Sequence, residues 1–354
     1  MKTKQFRLSL LVFFAFAFCI SCEPDDDTVT NVFTTRDRDE QQIVDNDSIL
    51  EFFATHYYNA SFFETGINHK IEDIIISESA IDENGNSNRL LSEALADGTI
   101  TTRTTILFEI DYTYYFLNLN QGEGDSPTFT DQVRVRYEGF TVETEEIFDQ
   151  IVTPVSLPLT GLGFSGGAIP GWQRVLPEFN AALDFSIGSD GSTNYNNYGF
   201  GIMFIPSGLA YFASPPPGSS IDAYANLVFK FELLQKEELD HDNDGIPSYI
   251  ENLNNNDDVF DDDTDEDGAP NYIDLDDDAD GVATINELVS TTYQVDTSID
   301  PEPTLAANEY EVSRSEVDGI LTINTVTAVD SDNNNILDYL DENISENYND
   351  DEDS

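Results

Sequence analysis

The residues best suited to chemistry are carboxylates set at fixed intervals towards the C-terminal end. Asp240, Asp242, Asp244 and Glu251 stand at positions 1, 3, 5 and 12 of one stretch, with Gly245 at position 6. The spacing returns at Asp263, Asp265, Asp267, Gly268 and Asp274, and again at Asp276, Asp278, Asp280, Gly281 and Glu287. A fourth, looser copy has Asp330, Asp332, Asn334, Asp338 and Asp341, with Asn335 in the place of the glycine. Such spacing lets one tight loop direct several oxygens at one point, the glycine permits the sharp turn, and the carbonyl at position 7 adds another oxygen. Calcium, a hard cation that takes roughly 6–8 oxygens, suits the set, and magnesium suits it less. The alternative is a solvated acidic tail in which the spacing is accidental.

The charge distribution bounds the rest. The formal net charge is −56, and more than half of the 70 acidic residues lie after Lys236, where Arg314 is the one Lys or Arg. Such a chain cannot displace counterions from a nucleic-acid backbone, so nucleic acid is excluded as a partner. Between residues 101 and 236 there is no Ser/His/Asp set, phosphate loop or CxxC pair, and His56, His69 and His241 are scattered.

The elements that must position these residues fall into six segments. Lys2, Lys4 and Arg7 precede an apolar run, Leu8 to Ile20, too short for the ~20 residues of a membrane span and suited to a secretory signal over 1–22. Residues 23–46 are polar and read as a flexible acidic tether. In 47–100, Ser48 and Glu51 are spaced as a capping box before an apolar face of Ile49, Phe52, Phe53 and Tyr57, which predicts a helix with packed His56 on the same face. Ile71 to Ser77 reads as a strand. Residues 101–236 are β-rich, with Val133, Val135 and Tyr137 on one face of an alternating strand. Residues 237–290 hold the spaced acids. Residues 291–354 read as a linker with one strand near Leu321–Val326, the fourth loop, and a disordered end from Asn347.

Three resemblances sharpen this outline. Cys19-Ile20-Ser21-Cys22 resembles a bacterial lipobox, which implies lipidation of Cys22 and a membrane anchor on the outer envelope, facing the periplasm or the cell surface. The short link between the second and third acidic copies resembles thrombospondin type-3 repeats, which implies a structural role for the calcium. Between them, Val135-Arg136-Tyr137-Glu138-Gly139 with Phe148-Asp149 resembles the FKBP pattern V-x-Y-x-G…F-D. Ala168-Ile169-Pro170-Gly171-Trp172, Ile205-Pro206-Ser207-Gly208-Leu209-Ala210-Tyr211 and Leu227-Val228-Phe229-Lys230-Phe231-Glu232-Leu233-Leu234 match later blocks of that family in order.

The FKBP resemblance implies an α+β fold, an antiparallel half-barrel around one short helix from Gly171 to about Phe179, followed by an extended calcium-loop tail. It implies peptidyl-prolyl cis-trans isomerase activity on proline-containing clients, assisting protein folding, with no cofactor for the reaction. Trp172 becomes the floor of a proline pocket and Tyr137, Phe148 and Phe229 its walls, with Val155 where the family carries Phe. The Ile169 N–H and the Tyr211 hydroxyl hold substrate carbonyls, and Asp149 stands at the pocket edge. No basic residue follows Asp149 before Ser165, which keeps open a second reading, an inactive module that grips proline segments. In a third reading the tail is primary, as a calcium-rigidified spacer or adhesion element.

Overall fold

Side-chain alternation along six strands decides the architecture. They are β1 (Ile100–Leu107), β2 (Ile110–Asn120), β3 (Gln132–Thr141), β4 (Ile147–Pro158), β5 (Gly199–Ile205) and β6 (Leu227–Glu237). They form one antiparallel sheet in the order β1-β2-β5-β6-β3-β4. The computed structural model describes residues 35–162 and 166–349; the signal segment, Cys19, Cys22 and the tether as far as residue 34 lie outside them. From Asp37 onward the chain forms one compact unit.

Neighbouring residues of a strand face opposite ways, and both faces of this sheet are covered. On one face Phe116, Met203, Ile205, Phe229, Phe231 and Leu233 pack with Trp172, Val175 and Phe179 from around a short helix, Pro170–Val175. On the other, Tyr115, Leu117, Ile202, Phe204 and Val228 pack with Ile49, Phe52 and Phe53 of a longer helix, Arg38–Thr55. That double cover explains why β5, GFGIMFI, is buried throughout and reads as a continuous apolar run. Each such side chain, fully buried, stabilises the fold by ~1.5–3 kcal/mol.

The first helix starts at Arg38, ten residues before the capping box, so the tether does not run to residue 46. Asp37 is its cap, accepting from the Glu40 N–H at 3.2 Å. The inward face of its first turns is polar: Gln41, Gln42 and Asp45 are buried. Asp45 accepts from Gln41 Nε2 at 2.7 Å and from the Ser207 hydroxyl at 2.6 Å. Apolar periodicity cannot register such a face. Ile71–Asp73 is a 3-10 turn and only Ile76–Ser77 is strand, because Ile71 and Ile74 turn inward to cap the second core. Residues 184–196 form a small hairpin, Asp184–Ile187 paired with Thr193–Asn196.

The acidic region does not trail away as an extended spacer. It folds back: Phe129 joins Val259 and Tyr272 in a shared cluster, and the Tyr272 hydroxyl donates to the Gly161 carbonyl at 3.0 Å. Arg174 of the short helix donates to the Asp257 carbonyl at 2.8 Å. The expected linker is instead a three-stranded antiparallel sheet of β7 (Val289–Asp296), β8 (Glu309–Val317) and β9 (Ile320–Thr327), with β9 central. Leu321, Ile323 and Val326 of β9 are buried, while β8 is polar, which hid it from a pattern search. Residues 347–349 are ordered against the fourth loop: the Tyr348 hydroxyl donates to Asp338 Oδ2 at 2.7 Å. Residues 350–354 lie outside the described part. Among the described residues no helix is long and apolar enough to cross a membrane.

Candidate functional site

Strands β3, β4 and β6 and the short helix bring four aromatic rings together. The Tyr137 and Trp172 ring centroids are 5.3 Å apart, Trp172 and Phe229 5.1 Å, and Phe148 and Phe229 5.5 Å, all edge to face. This is the favoured geometry for quadrupolar rings. Gly139 makes it possible: a Cβ there would stand 2.6 Å from the Phe148 ring and 2.8 Å from that of Phe229. Trp172 is held from below by the helix start, where its backbone N–H donates to the Ile169 carbonyl at 3.0 Å, and the residue is 3% exposed. Ile169 and Tyr211 pack at the edge of the same cluster.

The Tyr137 hydroxyl donates to Asp149 Oδ2 at 2.6 Å, so Asp149 has a partner in place of the missing base. Burial, and then the accepting carboxylate, push the Tyr137 hydroxyl well above the usual phenol range. Burial, and then Asp149, raise Tyr211 as well. Both stay protonated donors at neutral pH. Among the described residues neither the Ile169 N–H nor the Tyr211 hydroxyl has a hydrogen-bond partner. Tyr137, Phe148, Asp149, Ile169, Trp172, Tyr211 and Phe229 are thus gathered at one place. Val155 is not; it is 36% exposed on β4.

The four acidic copies fold alike. In each, the N–H at position 7 donates to the side chain at position 5: Ile246 to Asp244, Ala269 to Asp267 and Val282 to Asp280 at 2.8 Å, and Ile336 to Asn334 at 2.7 Å. In each, the N–H at position 2 donates to the side chain at position 9: His241 to Ser248, Thr264 to Asn271, Asp277 to Thr284 and Ser331 to Asp338. Position 6 is left-handed, at φ +102° for Gly245 and +71° for Asn335. Asparagine tolerates that region, so the fourth copy keeps its turn without glycine.

The carboxylates converge unequally. Asp240, Asp242 and Asp244 bring oxygens within 4.8 Å of one another, as do Asp263, Asp265 and Asp267, and Asp276, Asp278 and Asp280. Glu251 converges with Asp244 and with Asp277, which lies outside the twelve-residue pattern of the first loop. Asp242 Oδ2, Asp244 Oδ2, Asp278 Oδ2, Asp280 Oδ2 and both oxygens of Glu251 and Glu287 are buried without a hydrogen-bond partner among the described residues. Burial, and then the neighbouring acids, raise Glu251 to about 11, Glu287 to about 9, Asp242 to about 8 and Asp244 to about 7. Orphaned inward oxygens are what a cation would satisfy, so the first and third loops fit one. The second, Asp263 to Asp274, is more open. In the fourth, Asn334 donates its N–H to Asp330 and Asp332 and its amide to Asp341 at 2.6 Å, and Asp330, Asp332 and Asp341 do not bring three oxygens together as the other loops do.

Over 149 residues the chain is 30% identical to the FKBP-type 22 kDa peptidyl-prolyl cis-trans isomerase of Escherichia coli. Part of this chain is similar to FKBP-type isomerases. The match takes in 41% of this chain and 57% of that protein, so the chain spans little more than half the length of this relative. Among solved structures, a peptidyl-prolyl cis-trans isomerase of Pseudomonas syringae is 26% identical, covering 35% of this chain and 76% of its own, at a TM-score of 0.28. FkpA of Escherichia coli is 27% identical, covering 35% of this chain and 48% of its own, at a TM-score of 0.27. Residues 241–312 match the profile of a family described as BamM C-terminal.

Two residues near these sites escape sequence reasoning. Arg174, two places after Trp172 in the FKBP-like part, bonds Thr105 at 3.0 Å as well as Asp257, and nothing local marks a lone arginine as a docking donor. Asp277 has a faint signal: position 2 is His241, Thr264 and Ser331 in the other copies and acidic only here.

Proposed function

We propose that this protein is an FKBP-type peptidyl-prolyl cis-trans isomerase, tethered to the bacterial outer envelope by a lipidated Cys22 and assisting the folding of proline-containing client proteins. The observation that carries it is the aromatic cage over Trp172 with two donors at its edge, the Ile169 N–H and the Tyr211 hydroxyl, that have no hydrogen-bond partner among the described residues. The barrier to rotation about an X–Pro bond is ~18–20 kcal/mol because resonance keeps the amide planar. Water favours the polar planar form. An apolar floor at Trp172 removes that preference, while the Ile169 N–H and the Tyr211 hydroxyl hold the flanking carbonyls as the amide twists. Asp149, fixed by Tyr137, sets the field beside the rotating bond. No bond to the enzyme is made.

The acidic loops bind calcium, which in this reading supplies the charge that lets Asp242, Asp244, Glu251, Asp278, Asp280 and Glu287 stay ionised and buried. Its role is structural, and the open second loop and the amide-closed fourth bind it less tightly.

Exchange spectroscopy of an X–Pro peptide with the full chain tests the enzyme. Acceleration lost in Trp172→Ala supports isomerisation; peptide binding with no acceleration makes the cage a proline-recognition module. Loss of fatty-acid labelling in Cys22→Ala tests the tether.

A further inference from the structure

Asp244 and Glu251 are 0% exposed and Asp277 is 1% exposed. Each brings an oxygen within 4.8 Å of the other two. We infer that one divalent cation is shared between the first and third loops, held by Asp244, Glu251 and Asp277 together.

Each side chain is prepared for this. Asp244 uses Oδ1 to accept from the Ile246 N–H at 2.8 Å, and Asp277 uses Oδ2 to accept from the Thr284 hydroxyl at 3.1 Å. That leaves Asp244 Oδ2, Asp277 Oδ1 and both oxygens of Glu251 buried and without a hydrogen-bond partner among the described residues. Among the described residues none of the three forms an ion pair. Arg314, the one Lys or Arg after Lys236, pairs with Glu302 and Glu311. Three buried, unpaired carboxylates in contact are strongly unfavourable. Calcium–oxygen distances of ~2.3–2.6 Å put opposite ligands ~4.6–5.2 Å apart, so oxygens within 4.8 Å of one another can share one ion.

The consequence is a joint. Asp277 stands at position 2 of its own loop, so its free oxygen serves the neighbouring loop and not its own. The same junction buries Ile246 of the first loop against Leu288, Val326, Ala328 and Tyr339. A cation there fastens the terminal sheet and the fourth loop to the first loop, which itself contacts the FKBP-like part through His241 and the Thr160 carbonyl at 3.3 Å.

This placement rests on the cation reading of the loops, and the test separates the two. Calcium is titrated calorimetrically, and by thermal midpoint, into the full chain, Asp277→Asn, Asp277→Ser and the second-loop control Asp265→Asn. Both Asp277 variants should melt lower than the parent in calcium, while in chelator Asp277→Asn, which keeps the side chain's shape, should melt close to it. They should also lose ~10–100-fold in the affinity of one site, the scale seen when a group that supports a metal is removed. A parent that binds no calcium overturns the shared ion and the loop reading together. A parent that binds, with a site weakened by Asp265→Asn and unchanged in both Asp277 variants, overturns the shared ion alone. So does an Asp277→Asn midpoint that moves the same way in chelator and in calcium, which marks Asp277 as only a clasp for Thr284.

Discussion

Asp45, under the FKBP-like sheet, and Glu251, in the first acidic loop, are 1% and 0% exposed, and they are buried on opposite terms. Asp45 accepts from Gln41, the Ser207 N–H and the Ser207 hydroxyl at 2.6–2.9 Å. Glu232 is likewise met by Arg136 at 2.7 Å, and Asp131 by the Thr128 N–H at 3.0 Å. Glu251 has no hydrogen-bond partner among the described residues. These acids of the sheet region are met by protein donors, whereas inward oxygens of the loops have none among the described residues. The apolar clusters differ in the same direction: twenty buried residues line one face of the sheet, and five lie at the heart of the terminal junction. On the calcium reading proposed above, a region with so small a core and unpaired buried acids would depend on the ion for its fold.

Withdrawing calcium should have the largest effect. In chelator, amide protons of residues 240–341 should exchange far faster while those of β2, β5 and β6 keep their protection; equal loss in both regions breaks the comparison. Acidity then gives the sign. With no cation, burial and neighbouring acids hold Asp277 and Glu287 at about 9 and Asp242 at about 8, against unfolded values of ~4. The folded chain therefore holds more protons across that interval. The stabilisation is complete below about pH 4 and is lost as pH rises through about 8–9. In saturating calcium the trend reverses, because binding the ion releases those protons. Thermal midpoints between about pH 5 and 9 check both.

Smaller effects belong to the sheet region and should ignore calcium. Trp172→Ala should cost ~3–5 kcal/mol in denaturant unfolding and abolish acceleration of X–Pro exchange. Asp45→Ala should cost ~1–3 kcal/mol, since it strands the buried Ser207 donors. A calcium dependence of that loss would show that the two regions share their stability. Tyr137→Phe frees Asp149 and should cost about 0.5–1.5 kcal/mol, no more than ~10-fold in exchange rate.

Much of this was legible in advance because it is local. The four motif blocks place Tyr137, Phe148, Trp172 and Phe229 on strands and a helix start, and the 1-3-5-12 spacing places acids on one side of a turn. The register at 6, where φ is positive, and the donors at 7 follow from the loop backbone alone. The first turns of the long helix were not legible, since their buried face is Gln41, Gln42 and Asp45, whose partner Ser207 is 162 residues away. Nor was β8, which is exposed along most of its length and is a strand because β9 lies beside it.

By itself, then, the sequence determined which residues could ring a cation, because that depends on short-range spacing, and its four motif blocks carry the resemblance that implies which residues could line a proline pocket. Only the tertiary structure decided that the tail docks against the sheet region, that Asp149 finds Tyr137, and that Asp277 faces Glu251 across two loops. Asp277 and Glu251 belong to separate copies, and burial makes their pairing matter by removing water as the alternative partner, whereas the Tyr137–Asp149 bond joins neighbouring strands in the open.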